Sequence, residues 1–187
     1  MYNSFLSISQ VPAAWKRAII TPIYKKGLAS NAANYRPISS LTSVFSKLME
    51  RVVAVNLLNY LRDNRVIIKH QHGFMCRRST LTNLLESAND CTLSLENKAT
   101  SSIVYVDFTK AFDLVSHYKL LRKLESYGIQ GSLLSWLKSF LSDRFQCTKV
   151  GQSVSSWIPI DNDVIQGSCL GPLLFLLYIN DITDSRN

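Results

Sequence analysis

The spacing of apolar positions changes along this chain, and each change marks an element. "AIITPIYKKG" is β-branched and aromatic and ends in Lys-Lys-Gly, which predicts a strand entering a basic loop. Pro22 makes that strand an edge strand or an interrupted one. A polar loop follows around "SNAANYRPISS". Val44, Leu48, Val52, Val55, Leu58 and Leu61 then recur at helical spacing behind Ser43, a candidate cap, and predict a long amphipathic helix. Beyond the basic loop "KHQHGFMCRRST", a second helix begun by Thr80 or Thr82 places Leu81, Leu84, Leu85, Ala88 and Leu95 on one face.

The second half opens with a strand expected at 103–106. "HYKLLRKLESYG" reads as a helix stopped by Gly128, and "SLLSWLKSFLSD" as a short helix. "FQCTKV" and "SVSSWIPI" flank Gly-Gln as a hairpin. "LGPLLFLLYINDI" is apolar on nearly every side, with Pro172 where a first helical turn tolerates it, so it should be a buried helix. Strands and helices alternate without a strict βαβ repeat, and the expected class is α+β.

Composition adds bounds. The 187 residues are 47% apolar and 18% charged, enough to bury a core and unlike a disordered chain. Twenty-one Lys and Arg against thirteen Asp and Glu leave a net charge of +8, which favours polyanionic partners such as nucleic acid or an anionic membrane surface. Cys76, Cys91, Cys147 and Cys169 stand singly, without zinc spacing, as expected in a reducing compartment. The N-terminus lacks a signal-peptide pattern, and "CLGPLLFLLYI" is about half the length of a membrane span. An intracellular chain that does not enter the membrane is expected.

The candidate chemistry centres on "SSIVYVDFTKAFDLVSH". Asp107 follows four apolar residues, where a carboxylate leaves the core on a rigid strand end and faces a cleft. Such a group is either a magnesium ligand or a cap of the next turn.

"YVDFTKAFD" resembles the first catalytic motif of reverse transcriptases from non-long-terminal-repeat, LINE-like retrotransposons. "WKRAIITPIYKKG" with "NYRPISS" is similar to the fingers segment of that family, "QHGF" with "RRST" to its next block, and "QGSCLGPLLFLLYINDI" to the Gln-Gly turn and buried helix beyond the catalytic strand. These blocks lie in the family's order and cover most of the chain from Trp15 onward.

The resemblance implies a right-hand polymerase, helix-rich with a small antiparallel sheet. Residues up to about 100 would be mainly fingers, and 101–187 palm with interleaved fingers helices. It implies RNA-directed DNA synthesis by two-metal nucleotidyl transfer, with an RNA template, a DNA primer and deoxynucleoside triphosphates as partners and two magnesium ions as cofactor. Asp107 would bind both ions, with help from the Phe108 carbonyl. Arg36 and Lys25 would hold the triphosphate. Phe112 would exclude a 2′ hydroxyl or else be a core ring, and Gln166 and Gly167 would line the nucleotide pocket. Lys26, Arg77 and Arg78, with His70 and His72 nearby, would meet template phosphates. Asp113 is expected to cap the helix beginning near Ser116. Localisation would be nuclear and cytoplasmic.

The chain departs from the family in places. Asp163 and Ile165 in "DVIQGS" stand where Gly-x-Pro is usual, and Met75 and Cys76 replace part of an Arg-Lys-Gly run. The sequence ends at Asn187, ahead of the Asp-Asp hairpin and thumb of the family, so the expectation is a truncated domain, inactive alone. A non-catalytic RNA-binding remnant is the alternative.

Overall fold

The computed structural model of the protein describes residues 2–41, 43–165 and 167–182. β1 (Arg17–Tyr24) pairs antiparallel with β2 (Tyr35–Leu41) along its length, from Ala18 opposite Leu41 to Tyr24 opposite Tyr35. Much of the stretch expected as a polar loop is therefore strand. The return is tightened by a single 3-10 turn, Ala32–Asn34, whose Asn31 side chain accepts from the Ala33 N–H at 3.0 Å.

β3 (Arg144–Val150) runs parallel to β1 over Arg17–Ile20. The sheet order is β2-β1-β3-β4, where β4 is Ser153–Val154, and β5 (Ile158–Ile160) also pairs antiparallel with β3. The sheet is thus mixed, not purely antiparallel, and β1 is interior for its first half. Its ladder to β3 stops at Ile20, two residues before Pro22, which has no N–H to contribute. The expected hairpin forms at Gly151-Gln152, with Gly151 at φ +60°.

Between the parallel strands run four helices: α2 (Val44–Asp63), α3 (Thr80–Glu96), α4 (His117–Ser126) and α5 (Gly131–Leu141); α1 (Tyr2–Ser7) precedes them and α6 (Gly171–Ile179) follows the sheet. The core joins Met49, Val53 and Leu57 of α2 to Leu120 of α4, Trp136 of α5 and Leu174 of α6. α6 buries five of its nine residues, as its composition predicted. α4 ends as expected: Gly128 takes φ +84°, and the Ile129 N–H returns to the Leu124 carbonyl at 3.0 Å. Its cap is Ser116, whose Oγ accepts from the Lys119 N–H, so Asp113 is not the cap.

Three further expectations fail. α2 buries Ser46, Met49, Glu50, Val53, Leu57 and Leu61, while Val44, Leu48, Val52 and Val55 face solvent. The helix carries apolar residues on two sides, so spacing alone selected the wrong one. α3 forms with a capping box between Ser79 and Thr82, yet it has no buried residue among those described, and Leu81, Leu84, Leu85 and Leu95 are exposed. Residues 103–106 adopt no regular structure, because no described strand edge lies beside them, and Val104 and Tyr105 are more than four-fifths exposed.

Candidate nucleotide site

The turn before α6 is anchored on two sides. Gly167 sits at φ +101°, and a Cβ there would lie 2.4 Å from the Ser39 carbonyl oxygen of β2. Glycine is therefore demanded twice, by conformation and by contact. Gly167→Ala should lower stability by about 1–3 kcal/mol, measured by denaturant unfolding; an unchanged midpoint would show that the turn does not rest on β2.

On the other side, Glu50 of α2 is 1% exposed. Its Oε2 accepts from Ser168 Oγ at 2.5 Å, the Cys169 N–H at 2.9 Å and the Leu170 N–H at 3.4 Å, and its Oε1 accepts from Ser46 Oγ at 3.1 Å. A carboxylate from one helix thus caps the N-terminus of another, where orphan amides and the helix dipole favour negative charge. In the sequence, Glu50 is marked only as an acid inside an apolar stripe.

The turn that follows Asp107, residues 109–114, docks on the segment that leads into this anchor. The Val164 N–H donates to the Phe112 carbonyl at 3.1 Å, and the Asp163 N–H to the Val115 carbonyl at 3.3 Å. Phe112 is held two residues along the chain from Gln166, which itself lies outside the described residues. The Phe112 ring stacks on Phe175 of α6, with centroids 4.7 Å apart, and remains partly exposed. Asp107 and Phe108 are exposed in an irregular segment; the expected strand tip is absent, because its strand is unpaired. Among the described residues no group of three His, Cys, Asp or Glu side chains is placed to hold a metal ion. The described residues do not fit a two-metal cage, which needs more oxygen ligands than Asp107 supplies.

Arg36 lies on β2 opposite Ile23, three residues and about 10 Å along the strand from Ser39. Lys25 and Lys26 are exposed in the loop of the β1–β2 hairpin, with the Lys25 N–H on the Asn34 carbonyl at 2.8 Å. The β1–β2 hairpin and the Gly167 turn are therefore in contact through β2.

Arg77 and Arg78 are exposed, and Arg78 Nη1 donates to the Gln71 carbonyl at 3.1 Å. Both neighbouring histidines are engaged by α3: Glu86 meets His70 Nδ1 at 2.5 Å and His72 Nε2 at 2.7 Å. Hydrogen bonds from His72 first, then His70, hold the Glu86 carboxyl below its ordinary range.

Beneath the docked turn, a cleft of about 230 Å³ is lined by Ser39, Asp113, Gln146 and Asp163 among others. Ser39 Oγ and Asp163 Oδ1 are buried there without a hydrogen-bond partner. Burial first, then the Asp113 charge, pushes the Asp163 carboxyl up to about 7, against an opposing pull from Arg144. Arg144 is buried at the start of β3, donating to the Phe140 carbonyl at 2.8 Å and the Trp15 carbonyl at 3.3 Å, and desolvation lowers it to about 10. Asp163 also has φ +132°, a backbone region that belongs to glycine.

Mixed helices with a small sheet are consistent with the fingers and palm of a polymerase. Residues 23–186 match the family described as reverse transcriptase (RNA-dependent DNA polymerase). The chain belongs to that family, in its non-long-terminal-repeat branch. It is 35% identical over 97% of its length to the RNA-directed DNA polymerase from mobile element jockey of Drosophila melanogaster, and 33% identical over 97% to a probable RNA-directed DNA polymerase from transposon BS of the same species. It is 31% identical over 92% to the Pol polyprotein from type-1 retrotransposable element R2 of Popillia japonica. The chain spans about a fifth of the length of the first two relatives and 24% of the third. The family as a class uses divalent metal ions. Among the described residues no helix is long and apolar enough to cross a membrane.

Proposed function

We propose that the chain forms the deoxynucleotide-binding part of an RNA-directed DNA polymerase encoded by a non-long-terminal-repeat retrotransposon, working with an RNA template, a DNA primer and magnesium in nucleus and cytoplasm. The observation that carries this is the joining of three segments: the Phe112 turn is bonded to the segment before Gln166, and Gly167 is pressed on the strand that bears Arg36. Arg36 offers the triphosphate a planar fork of donors, with Lys25 as a mobile second charge. Phe112, Gln166 and Gly167 bound the sugar and base, and Asp107 with the Phe108 carbonyl contributes part of a metal site. Lys26, Arg77 and Arg78 meet template phosphates. The full catalytic act needs carboxylates beyond Asp107, so the 187 residues alone should not extend a primer.

Photocrosslinking of an azido-deoxyadenosine triphosphate with magnesium tests the assignment. Label is expected on the Gly167 turn or the β1–β2 hairpin, displaced by unlabelled deoxyadenosine triphosphate and reduced about tenfold in Arg36→Ala, as for loss of a charge-assisted hydrogen bond. Label placed elsewhere, or untouched by Arg36→Ala, would refute the nucleotide site. Robust extension of a primer on RNA by the chain alone would refute its inactivity.

A further inference from the structure

The cleft beneath the docked turn has a chemistry that the nucleotide residues leave unused. Alternate residues of a strand share a face, and Ser39 of β2 stands opposite Ile20 of β1 while Gln146 of β3 stands beside Ala18. These four side chains line one side of the cleft, and the loops that bring Asp113 and Asp163 to it supply the carboxylates. Its volume of about 230 Å³ has room for about seven water-sized groups at about 30 Å³ each.

What lines it is one-sided. Two carboxylates, the Ser39 hydroxyl and the side-chain amides of Gln146 and Asn162 offer acceptor oxygens, and no Lys or Arg is among the lining residues. Ser39 is 5% exposed, and its Oγ, like Asp163 Oδ1, is buried without a hydrogen-bond partner. Buried acceptors left in that state cost about 1–3 kcal/mol each, so a donor that reached them would be held. The remaining walls are aliphatic, with Ile160 and Ile165 joining Ile20 and Pro37.

We propose that this cleft binds an alkylammonium group, with the charged head on Asp163 and Ser39 Oγ and the methylene stem against the aliphatic walls. A primary ammonium brings three donors and no acceptor, which is the complement of this lining. A divalent metal would need more oxygens around one point, and among the described residues no group of three His, Cys, Asp or Glu side chains is placed to supply them. The end of a free polyamine and a lysine side chain of another protein share the required chemistry. The cleft uses none of the residues assigned to the deoxynucleotide, so it stands apart from that assignment.

The charged and titratable groups facing Asp163 are Asp113 in the same cleft, Arg144 from β3, and His117 from α4, whose Nε2 is bonded to the Asp163 carbonyl oxygen. The Asp163 carboxyl, raised to about 7, is ionised at pH 8 and mostly protonated at pH 6, whereas an alkylammonium keeps its charge at both. Affinity should therefore rise about tenfold from pH 6 to pH 8, as the ionised fraction climbs from about one-tenth to about nine-tenths.

Isothermal titration of the 187-residue chain with 1,4-diaminobutane in an amine-free buffer tests the proposal. A chain of net charge +8 has little general attraction for a cation, so binding reports a local site. Asp163→Asn should weaken binding at least tenfold at pH 8 and abolish the difference between pH 6 and pH 8, and Ser39→Ala should weaken it about threefold. The pH series on the parental chain reads the same carboxylate without any substitution. Tighter binding of diaminobutane than of N-acetyl-lysine methylamide assigns the site to free amines, and the reverse assigns it to lysine side chains. Binding of neither, heats matched by 1,4-butanediol, or parental affinity and pH dependence in Asp163→Asn would overturn the site while leaving the Arg36 crosslink standing.

Discussion

Asp163→Gly should raise the thermal midpoint by about 4–8 °C at pH 8, a gain of about 2 kcal/mol in a chain of this size. Two costs are removed together. The Asp163 backbone lies at φ +132°, where a side chain is strained by about 1–3 kcal/mol, and its Oδ1 is a buried acceptor with no partner, worth about 1–3 kcal/mol more. The extra freedom of glycine in the unfolded chain offsets about 1 kcal/mol. The backbone bonds of residue 163, from its N–H to the Val115 carbonyl and from His117 Nε2 to its own carbonyl oxygen, survive the change.

The gain should depend on pH. The Asp163 carboxyl is raised from the usual 3.8 to about 7, so between those values the folded chain binds a proton that the unfolded chain has released. Stability therefore falls as pH rises through that window, and the full penalty stands above pH 7. Asp163→Gly should outperform the parent more at pH 8 than at pH 4, and Asp163→Ala, which keeps the strain, should recover only the pH-dependent part. A glycine variant less stable than the parent at pH 8 would show that the carboxylate has partners in solution.

Glu50→Ala should cost about 2–5 kcal/mol, because it strands the Ser168 hydroxyl and the Cys169 amide that its Oε2 accepts, each an unsatisfied donor worth about 1–3 kcal/mol. Glu50→Gln keeps an acceptor and loses the charge at the start of α6, so about 1 kcal/mol is expected there. Urea unfolding checks both. The turn from Gly167 should loosen along with the capping, so iodoacetamide should modify exposed Cys169 faster in Glu50→Ala than in Glu50→Gln. Equal stability in all three chains would mean that the carboxylate is replaced by solvent at no cost.

What was legible in the sequence follows from how local each signal is. Gly128 ending α4, Pro172 opening α6 and the Gly151-Gln152 hairpin were readable because each is fixed by a few adjacent residues. The buried side of α2 was not, since Val52 and Val53 are equally apolar and only the distant Ser168 turn selects the side that carries Glu50. The parallel union of β1 with β3 joins residues more than a hundred positions apart and leaves no local pattern. Of the candidate site, the motif residues Phe112 and Gly167 could be named from the sequence, but the bond from the Val164 N–H to the Phe112 carbonyl that joins their segments links distant positions and leaves no local pattern. The strand under Asp107 was misread because 103–106 has strand composition, and composition does not supply a neighbour.

That same stretch bears on how the isolated chain behaves in a tube. Ile103, Val104, Tyr105 and Val106 form an uncharged, proline-free run with every side chain more than half exposed and with backbone groups outside any ladder. Such a run is a template for its own copies, and stacking of identical segments satisfies both its amides and its side chains. Concentrated stocks should therefore be limited by fibril nucleation at this tetrapeptide well before the surplus of positive charge ceases to keep molecules apart.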